Sequence, residues 1–235
     1  MLFDLEGTLV AGKRYEPLPG AIEILATLRE WHIPFRIVTN NTTETPPDLL
    51  RCLSEALLPL AESELMTPLV VMRNLLSDPQ RVFVIGSDAV KSVLKEDRHV
   101  IVDDESGATC IVVGGIPDPT IEQLNRATRA LLAGAQGFIA LHKNRLFQDA
   151  NKYRVLGVGA LVAAIEYATN RQATLVGKPN PKFFQSAIQS ASCSGPDAMM
   201  IGDDPYADLH PAQEIGARTV LVTTGSELIN LRRLC

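Results

Sequence analysis

The composition of this 235-residue chain, with 46% hydrophobic and 21% charged residues, is that of an ordinary globular protein and excludes a disordered chain. The formal net charge of -5 and the lack of a Lys and Arg cluster argue against a nucleic-acid partner. No apolar run reaches the ~18 residues that a membrane helix needs, and the acidic Asp4 comes too early for a signal peptide. The four cysteines have no CxxC spacing, so neither a zinc site nor disulfides are predicted, and a cytoplasmic location is expected.

Short aliphatic runs alternate with amphipathic helical patterns from one end of the chain to the other. Strands are predicted at 1–3, 35–38, 82–85, 100–102, 110–113, 138–141, 174–176, 199–201 and 219–222. Helices are predicted between them, and their starts are indicated by Pro19, Pro46, Pro119 and Pro181. This alternation predicts an α/β fold with a mostly parallel sheet and helices on both of its faces.

A second domain is predicted inside the first one. Residues 79–171 carry a strand-helix-strand pattern of their own, without the polar segments that follow strands elsewhere in the chain. The sequence therefore predicts a discontinuous core formed by 1–78 and 172–235, with a smaller α/β domain inserted at 79–171.

Polar residues follow four of the predicted strands at the point where each strand ends. Asp4 follows 1–3, Thr39 and Asn40 follow 35–38, Lys178 follows 174–176, and Asp203 follows 199–201. In open parallel sheets, ligands bind beyond the carboxyl ends of the strands. We therefore expect these four clusters to meet at one sheet edge.

The first cluster contains two carboxylates, Asp4 and Glu6, at alternate positions of a strand end. Side chains at such positions project to the same side, and Gly7 permits a tight turn after them. One carboxylate could attack phosphorus while the other donates and recovers a proton. Taken alone, the segment fits an acidic turn at a helix entry equally well.

The second and third clusters contain groups that suit a phosphate. The Thr39 hydroxyl and the backbone N–H groups around Asn40 fit phosphate oxygens, although an N-cap turn would use the same residue types. Lys178, between Gly177 and Pro179, offers a point cation for a phosphoryl group and its neighbouring carboxylates. A solvated surface lysine is the alternative for Lys178.

The fourth cluster contains three carboxylates, Asp203, Asp204 and Asp208, directly after an apolar strand. Their mutual repulsion is unfavourable unless a cation lies among them. Mg²⁺ prefers one or two carboxylates, water and substrate phosphate oxygens. The segment therefore predicts a magnesium site.

In order and position, the four clusters resemble the motifs of the haloacid dehalogenase-like superfamily, whose phosphatases share DxDGT, a Thr or Ser strand end, a Lys, and GDxxxxD. These motifs stand here at 4–8, 38–40, 177–179 and 202–208. The resemblance covers nearly the whole chain and implies a Rossmann-like core. The insert resembles the α/β cap of the nitrophenylphosphatase-like branch. The segments 164–169, 176–179 and 200–204 are similar to the subgroup that contains phospholysine phosphohistidine inorganic pyrophosphate phosphatase.

The resemblance implies a metal-dependent phosphohydrolase that acts on a small phosphorylated metabolite. Asp4 would be the nucleophile and would form an aspartyl-phosphate, with Glu6 as the acid and base. Mg²⁺ would be bound by Asp4, the backbone carbonyl of Glu6 and Asp203, while Asp208 would support the water ligands of the metal.

The resemblance also implies the groups that bind the phosphoryl oxygens. These are Thr39 and the backbone N–H of Asn40, with Lys178 neutralising the nucleophile and the developing charge. The chain departs from the family pattern at Glu6, where most members carry Asp. A relative that binds Mg²⁺ and phosphate with little turnover is therefore an alternative. A hydrolytic dehalogenase is a weaker alternative, because dehalogenation needs no metal, whereas Asp203, Asp204 and Asp208 predict a metal site.

The insert contains one segment whose composition suits substrate binding. Residues 140–147 follow a predicted strand and include His142, Lys143 and Arg145, which are candidates for binding the leaving group. A solvated basic turn explains the same residues. By resemblance, pairing of two copies through the cap is a further expectation.

Overall fold

In the computed structural model, residues 1–12, 14–115, 118–148 and 153–223 are described. The chain forms two compact units. The first contains Met1–Thr39, Pro46–Met66 and Pro179–Cys235, and the second contains Asn40–Thr45 and Thr67–Lys178. The second unit therefore includes 67–78 and 172–178, which lie outside the insert at 79–171 that the sequence predicts.

The strands and helices of the described residues alternate along the chain. The strands are β1 (Leu2–Phe3), β2 (Val10–Ala11), β3 (Glu16–Pro17), β4 (Arg36–Val38), β5 (Leu65–Met66), β6 (Arg81–Ile85), β7 (Val100–Ile101), β8 (Cys110–Val113), β9 (Gly137–Ala140), β10 (Leu146–Gln148), β11 (Arg154–Leu156), β12 (Thr174–Leu175), β13 (Met199–Gly202) and β14 (Arg218–Leu221). The helices are α1 (Ala21–Glu30), α2 (Pro46–Glu55), α3 (Pro68–Leu75), α4 (Asp88–Glu96), α5 (Ile121–Leu132), α6 (Val158–Thr169), α7 (Pro181–Ser190) and α8 (His210–Glu214).

The first unit is built on a parallel five-stranded sheet with the order β14-β13-β1-β4-β5. Strand β1 lies between β13 and β4, with Leu2 opposite both Met200 and Arg36. Buried residues of the sheet, including Phe3 and Ile37, form one hydrophobic cluster with Leu25 of α1. The sheet order brings the carboxyl ends of β13, β1 and β4 side by side, which is where the functional residues of this unit begin.

The second unit has its own parallel sheet, with the order β12-β9-β8-β6-β7. Alternate residues of β6 belong to different hydrophobic clusters. Phe83 belongs to a cluster with buried residues of α5 and α6, whereas Val84 belongs to one with residues of α3 and α4. Because successive side chains of a strand point to opposite faces, helices cover both faces of this sheet, as is usual for parallel strands.

These two sheets confirm the predicted fold class, a Rossmann-like α/β core with a second α/β unit inserted into it. Five short strands were not predicted: β5 and the antiparallel pairs β2–β3 and β10–β11. Most of them have only two residues, which is too short for an alternating pattern to be visible. Among the described residues, no helix is both long and apolar enough to span a bilayer.

The expectation that all four polar clusters follow strands of one sheet is wrong. Strand β12, which precedes Lys178, pairs with β9 of the second sheet, with Thr174 opposite Ile139. The clusters at Asp4, Thr39 and Asp203 follow strands of the first sheet. A strand of two residues carries no information about which of two parallel sheets it joins, so the sequence could not distinguish them.

Candidate active site

Three carboxylates lie together at the carboxyl edge of the first sheet. Oxygens of Asp4, Asp203 and Asp208 are all within 4.8 Å of one another. Asp4 directly follows β1, where its N–H donates to the Ile201 carbonyl of β13 at 2.9 Å. Asp203 directly follows β13, and Asp208 lies in a single π-helical turn, Pro205–Leu209. The pairing of β1 with β13 therefore brings together residues from opposite ends of the chain.

The cluster concentrates negative charge at a partly buried position. Asp4 is 5% exposed and Asp208 is 0% exposed, whereas Asp203 is open to solvent. Like charges at this separation repel strongly where water is largely excluded. Mg²⁺ prefers carboxylate ligands and keeps several of its waters, so it suits a group of carboxylates that is open to solvent on one side. The donor set therefore fits a magnesium ion.

Two glycines leave the space that the carboxylates occupy. A Cβ at Gly7 would come well under 3.0 Å from Asp203 Oδ2, and one at Gly202 would meet Asp208 Oδ2 equally closely. Gly7 also has a φ of +91°, a conformation that L side chains rarely adopt. Glycine is thus required at both positions for the carboxylates to approach.

Asp204 has a separate, structural role in this segment. Its Oδ1 accepts hydrogen bonds from the backbone N–H groups of Tyr206 at 2.8 Å and Ala207 at 3.0 Å. Its own N–H donates to Asp208 Oδ2 at 3.3 Å. Asp204 therefore caps the π-helical turn that carries Asp208 and does not belong to the cluster of three carboxylates.

Glu6 follows Asp4 closely in the sequence and is hydrogen-bonded to Thr39, the residue that follows β4. The Thr39 hydroxyl donates to Glu6 Oε2 at 2.7 Å, and Thr39 is fully buried after β4. Glu6 itself is exposed. A buried, fixed hydroxyl therefore orients a solvent-facing carboxyl group, which is a suitable arrangement for a group that transfers protons.

The other predicted phosphate-binding residues, Asn40 and Lys178, lie in the second unit and contact each other. Asn40 Oδ1 accepts from the Lys178 N–H at 2.9 Å, and Asn40 Nδ2 donates to the Lys178 carbonyl at 3.1 Å. Lys178 is only 4% exposed. Burial of an ammonium group is rare unless its charge is used or compensated, so the structure indicates that Lys178 is not a solvated surface lysine.

His142 is buried in the second unit, at 8% exposure. Burial, together with the nearby charge of Lys178, lowers the pKa of His142 from 6.5 to about 4. The imidazole is therefore neutral at pH 7, and it can accept or donate a hydrogen bond but contributes no positive charge. Burial depth is the property that the sequence did not show for this residue.

Lys143 and Arg145 line a cavity of about 490 Å³ in the second unit. Its wall includes Gly159 and Ala160 of α6, whose small side chains leave it open. Lys143 Nζ forms an ion pair with Glu166 of α6 at 2.7 Å, and Glu166 also accepts the Ala173 N–H at 2.9 Å. Sequence reasoning did not identify Glu166, although its spacing along α6 places it on the face that Gly159 and Ala163 share.

Comparisons with known proteins show which family the chain belongs to. A family model described as haloacid dehalogenase-like hydrolase matches residues 1–98, and a second, HAD-hydrolase-like model matches 175–230. The chain is 39% identical over 227 residues to haloacid dehalogenase-like hydrolase domain-containing protein 2 of Mus musculus, covering 96% of this chain and 84% of that protein. It is 28% identical over 230 residues to phospholysine phosphohistidine inorganic pyrophosphate phosphatase of Mus musculus, covering 96% and 83%.

A solved structure is similar over almost the whole chain. The p-nitrophenyl phosphatase from Archaeoglobus fulgidus matches with a TM-score of 0.84 and 26% identity, covering 99% of this chain and 90% of that one. The chain belongs to the haloacid dehalogenase-like hydrolases, in their nitrophenylphosphatase-like branch, and is a phosphatase.

Replacing Gly7 with alanine should disable the site. Gly7→Ala forces the Asp203 carboxylate away from its position, and we expect at least about 10²-fold lower phosphatase activity, because displacements of about 1 Å have effects of this size. Gly12→Ala is the matched control, since Gly12 also has a positive φ of +68° but a Cβ there meets nothing within 4 Å. Activity and unfolding free energy are measured for both variants. Equal activity in the two variants would contradict this account of Gly7.

The buried His142 predicts a pH dependence of stability. The unfolded chain takes up a proton as the pH falls below about 6.5, whereas the native imidazole does so only near 4. The free energy of unfolding should therefore decrease on acidification across this window, by roughly 3 kcal/mol from this residue. His142→Gln should flatten the dependence, measured by urea denaturation between pH 7 and pH 4. His32→Asn, which removes an exposed imidazole, controls for the loss of a histidine as such, and an unchanged slope in His142→Gln would be the contrary result.

Proposed function

We propose that this phosphatase hydrolyses a small phosphorylated metabolite in a Mg²⁺-dependent reaction that passes through an aspartyl-phosphate on Asp4. The proposal rests on the three carboxylates of Asp4, Asp203 and Asp208, whose oxygens lie within 4.8 Å of one another. Phosphoryl transfer requires mainly that the reacting groups are positioned and that their charge is neutralised. A cation bound by this cluster would neutralise that charge.

Asp4 is the proposed nucleophile because it is buried and directly follows the central strand of the sheet. Its carboxylate oxygen forms a bond to phosphorus while the bond from phosphorus to the leaving-group oxygen breaks. Asp4, Asp203 and the Glu6 carbonyl would hold Mg²⁺, with Asp208 beside them, and the ion would supply positive charge to the transferring group.

Glu6 is the proposed acid and base. Its carboxyl group first donates a proton to the leaving-group oxygen. It then takes a proton from the water that attacks phosphorus, which breaks the bond to Asp4 and releases phosphate. The Thr39 hydroxyl, at 2.7 Å from Glu6 Oε2, supports this role by orienting the carboxyl group. Glutamate retains the proton chemistry of the usual aspartate, so we expect turnover.

Thr39, the Asn40 backbone N–H and Lys178 are the proposed phosphoryl-binding groups, as the family motifs imply. Lys178 supports the proposal by being a buried cation with a defined backbone position. A fixed, desolvated ammonium stabilises developing negative charge more than a mobile, hydrated one does.

The substrate is proposed to be small because the cavity beside Lys143 and Arg145 has a volume of about 490 Å³, which suits a metabolite. Arg145 is exposed and lines this cavity, and its guanidinium is proposed to bind a hydroxyl or anionic group of the leaving group. His142 is neutral and would act as a hydrogen-bonding group. A cytoplasmic location and pairing through the cap remain predictions from the sequence.

Asp4→Asn should abolish phosphate release without unfolding the protein. With p-nitrophenyl phosphate and Mg²⁺ we expect at least about a 10³-fold decrease in kcat, since the amide is not a nucleophile. EDTA should suppress the wild-type activity, and added Mg²⁺ should restore it. Asp88→Asn, which removes a carboxylate whose side chain is 98% exposed, is the control and should retain wild-type activity.

Two outcomes would contradict the proposal. Wild-type activity in Asp4→Asn would exclude the nucleophile, and activity that persists in EDTA would exclude the metal. Tight binding of Mg²⁺ and phosphate by the wild type, with no release of phosphate from any of a broad panel of phosphate esters, would instead favour a binding protein with little turnover.

A further inference from the structure

The amide of Asn40 connects three segments of the second unit. Its Oδ1 accepts from the Lys178 N–H at 2.9 Å, and its Nδ2 donates both to the Lys178 carbonyl at 3.1 Å and to Asn144 Oδ1 at 2.6 Å. The Lys178 N–H can only donate and the Lys178 carbonyl can only accept, so the orientation of the Asn40 amide follows from these bonds. Asn144 must therefore present an acceptor to Asn40.

The backbone at Lys178 is held on several sides. The Lys178 carbonyl also accepts the Lys143 N–H at 3.3 Å, and the preceding Gly177 N–H donates to the Leu141 carbonyl at 2.8 Å. A Cβ at Gly177 would lie 2.6 Å from both Asn40 Oδ1 and the Leu141 oxygen. This close approach requires glycine, and it makes the position of Lys178 sensitive to where the Asn40 amide lies.

We propose that Asn144 is a positioning residue for Lys178 and acts through the Asn40 amide. The inference rests on the proposed function, in which Lys178 stabilises the transferring phosphoryl group. Asn144 occupies one amide proton of Asn40 in a half-buried site. Without that acceptor the Asn40 amide proton is left unsatisfied and the amide moves to find another partner, which displaces the backbone of Lys178 with it.

The proposal also gives the 142–145 segment a second role. Lys143 and Arg145 line the cavity, while Asn144, between them, contacts Asn40 instead. One segment thus presents side chains to the proposed leaving group and supports the buried lysine. Because Asn144 acts on Lys178 and not on the leaving group, its loss should lower kcat and leave KM almost unchanged.

The test compares variants that differ in the acceptor at position 144. Asn144→Leu and Asn144→Ala remove the acceptor, and each should lower kcat on p-nitrophenyl phosphate with Mg²⁺ by about 10- to 100-fold, with KM within about threefold of wild type and Tm near the wild-type value. Asn144→Asp keeps the acceptor and should retain kcat within about threefold. Asn125→Leu, the same substitution at an exposed position of α5, is the control and should have wild-type kinetics.

A double-mutant cycle distinguishes positioning from a general effect on the fold. Lys178→Met should lower kcat at least as much as Asn144→Leu does, and the double variant should be no slower than Lys178→Met alone, because Asn144 acts only through Lys178. The inference would be overturned if the losses of kcat in the two single variants were additive, or if Asn144→Asp lost as much kcat as Asn144→Leu. Wild-type kcat in folded Asn144→Leu or Asn144→Ala would also overturn it. If wild type releases no phosphate or Lys178→Met is fully active, the proposed function fails; if only the Asn144 results disagree, the inference alone fails.

Discussion

The repulsion among three carboxylates at the carboxyl edge of one parallel sheet is the interaction on which the rest of the site depends. Strand β1 brings Asp4 next to the end of β13, and the π-helical turn returns Asp208 to the same place. Backbone pairing enforces this arrangement, and glycine at positions 7 and 202 permits it, because a side chain at Gly7 would collide with Asp203 and one at Gly202 with Asp208. Two of the three carboxylates are buried and Asp203 faces solvent, so their mutual repulsion favours a cation at this edge. This repulsion would give the proposed metal binding a direct physical cause.

The second unit contributes a different kind of rigidity. Its sheet is covered by helices on both faces, and the segments that leave the sheet after β9 and β12 are connected through the Asn40 amide. Lys178 is anchored through its backbone, so its ammonium does not depend on side-chain contacts alone for its position. His142 nearby is kept neutral by burial and by the charge of Lys178, so it adds no second positive charge beside this lysine.

Much of this could be predicted from the sequence, because the strand-end rule depends only on local patterns. It located Asp4, Thr39 and Asp203 correctly at one edge, since each follows an aliphatic run of the first sheet. It failed for Lys178, whose two-residue strand joins the second sheet. Asn144 was missed because its partner Asn40 is distant in sequence, and Glu166 was missed although its spacing along α6 places it on the cavity face. The neutral state of His142 depends on burial depth, which a short polar segment does not reveal.

Direct titration of Mg²⁺ into the protein tests the central claim, the proposal that the three carboxylates bind a divalent ion. Isothermal calorimetry should show one ion per chain for wild type, and binding should be lost in Asp203→Asn. It should persist in Asp204→Asn, because Asp204 caps the turn through an oxygen that asparagine retains. Absence of binding to the wild type, or equal binding to both variants, would contradict the account.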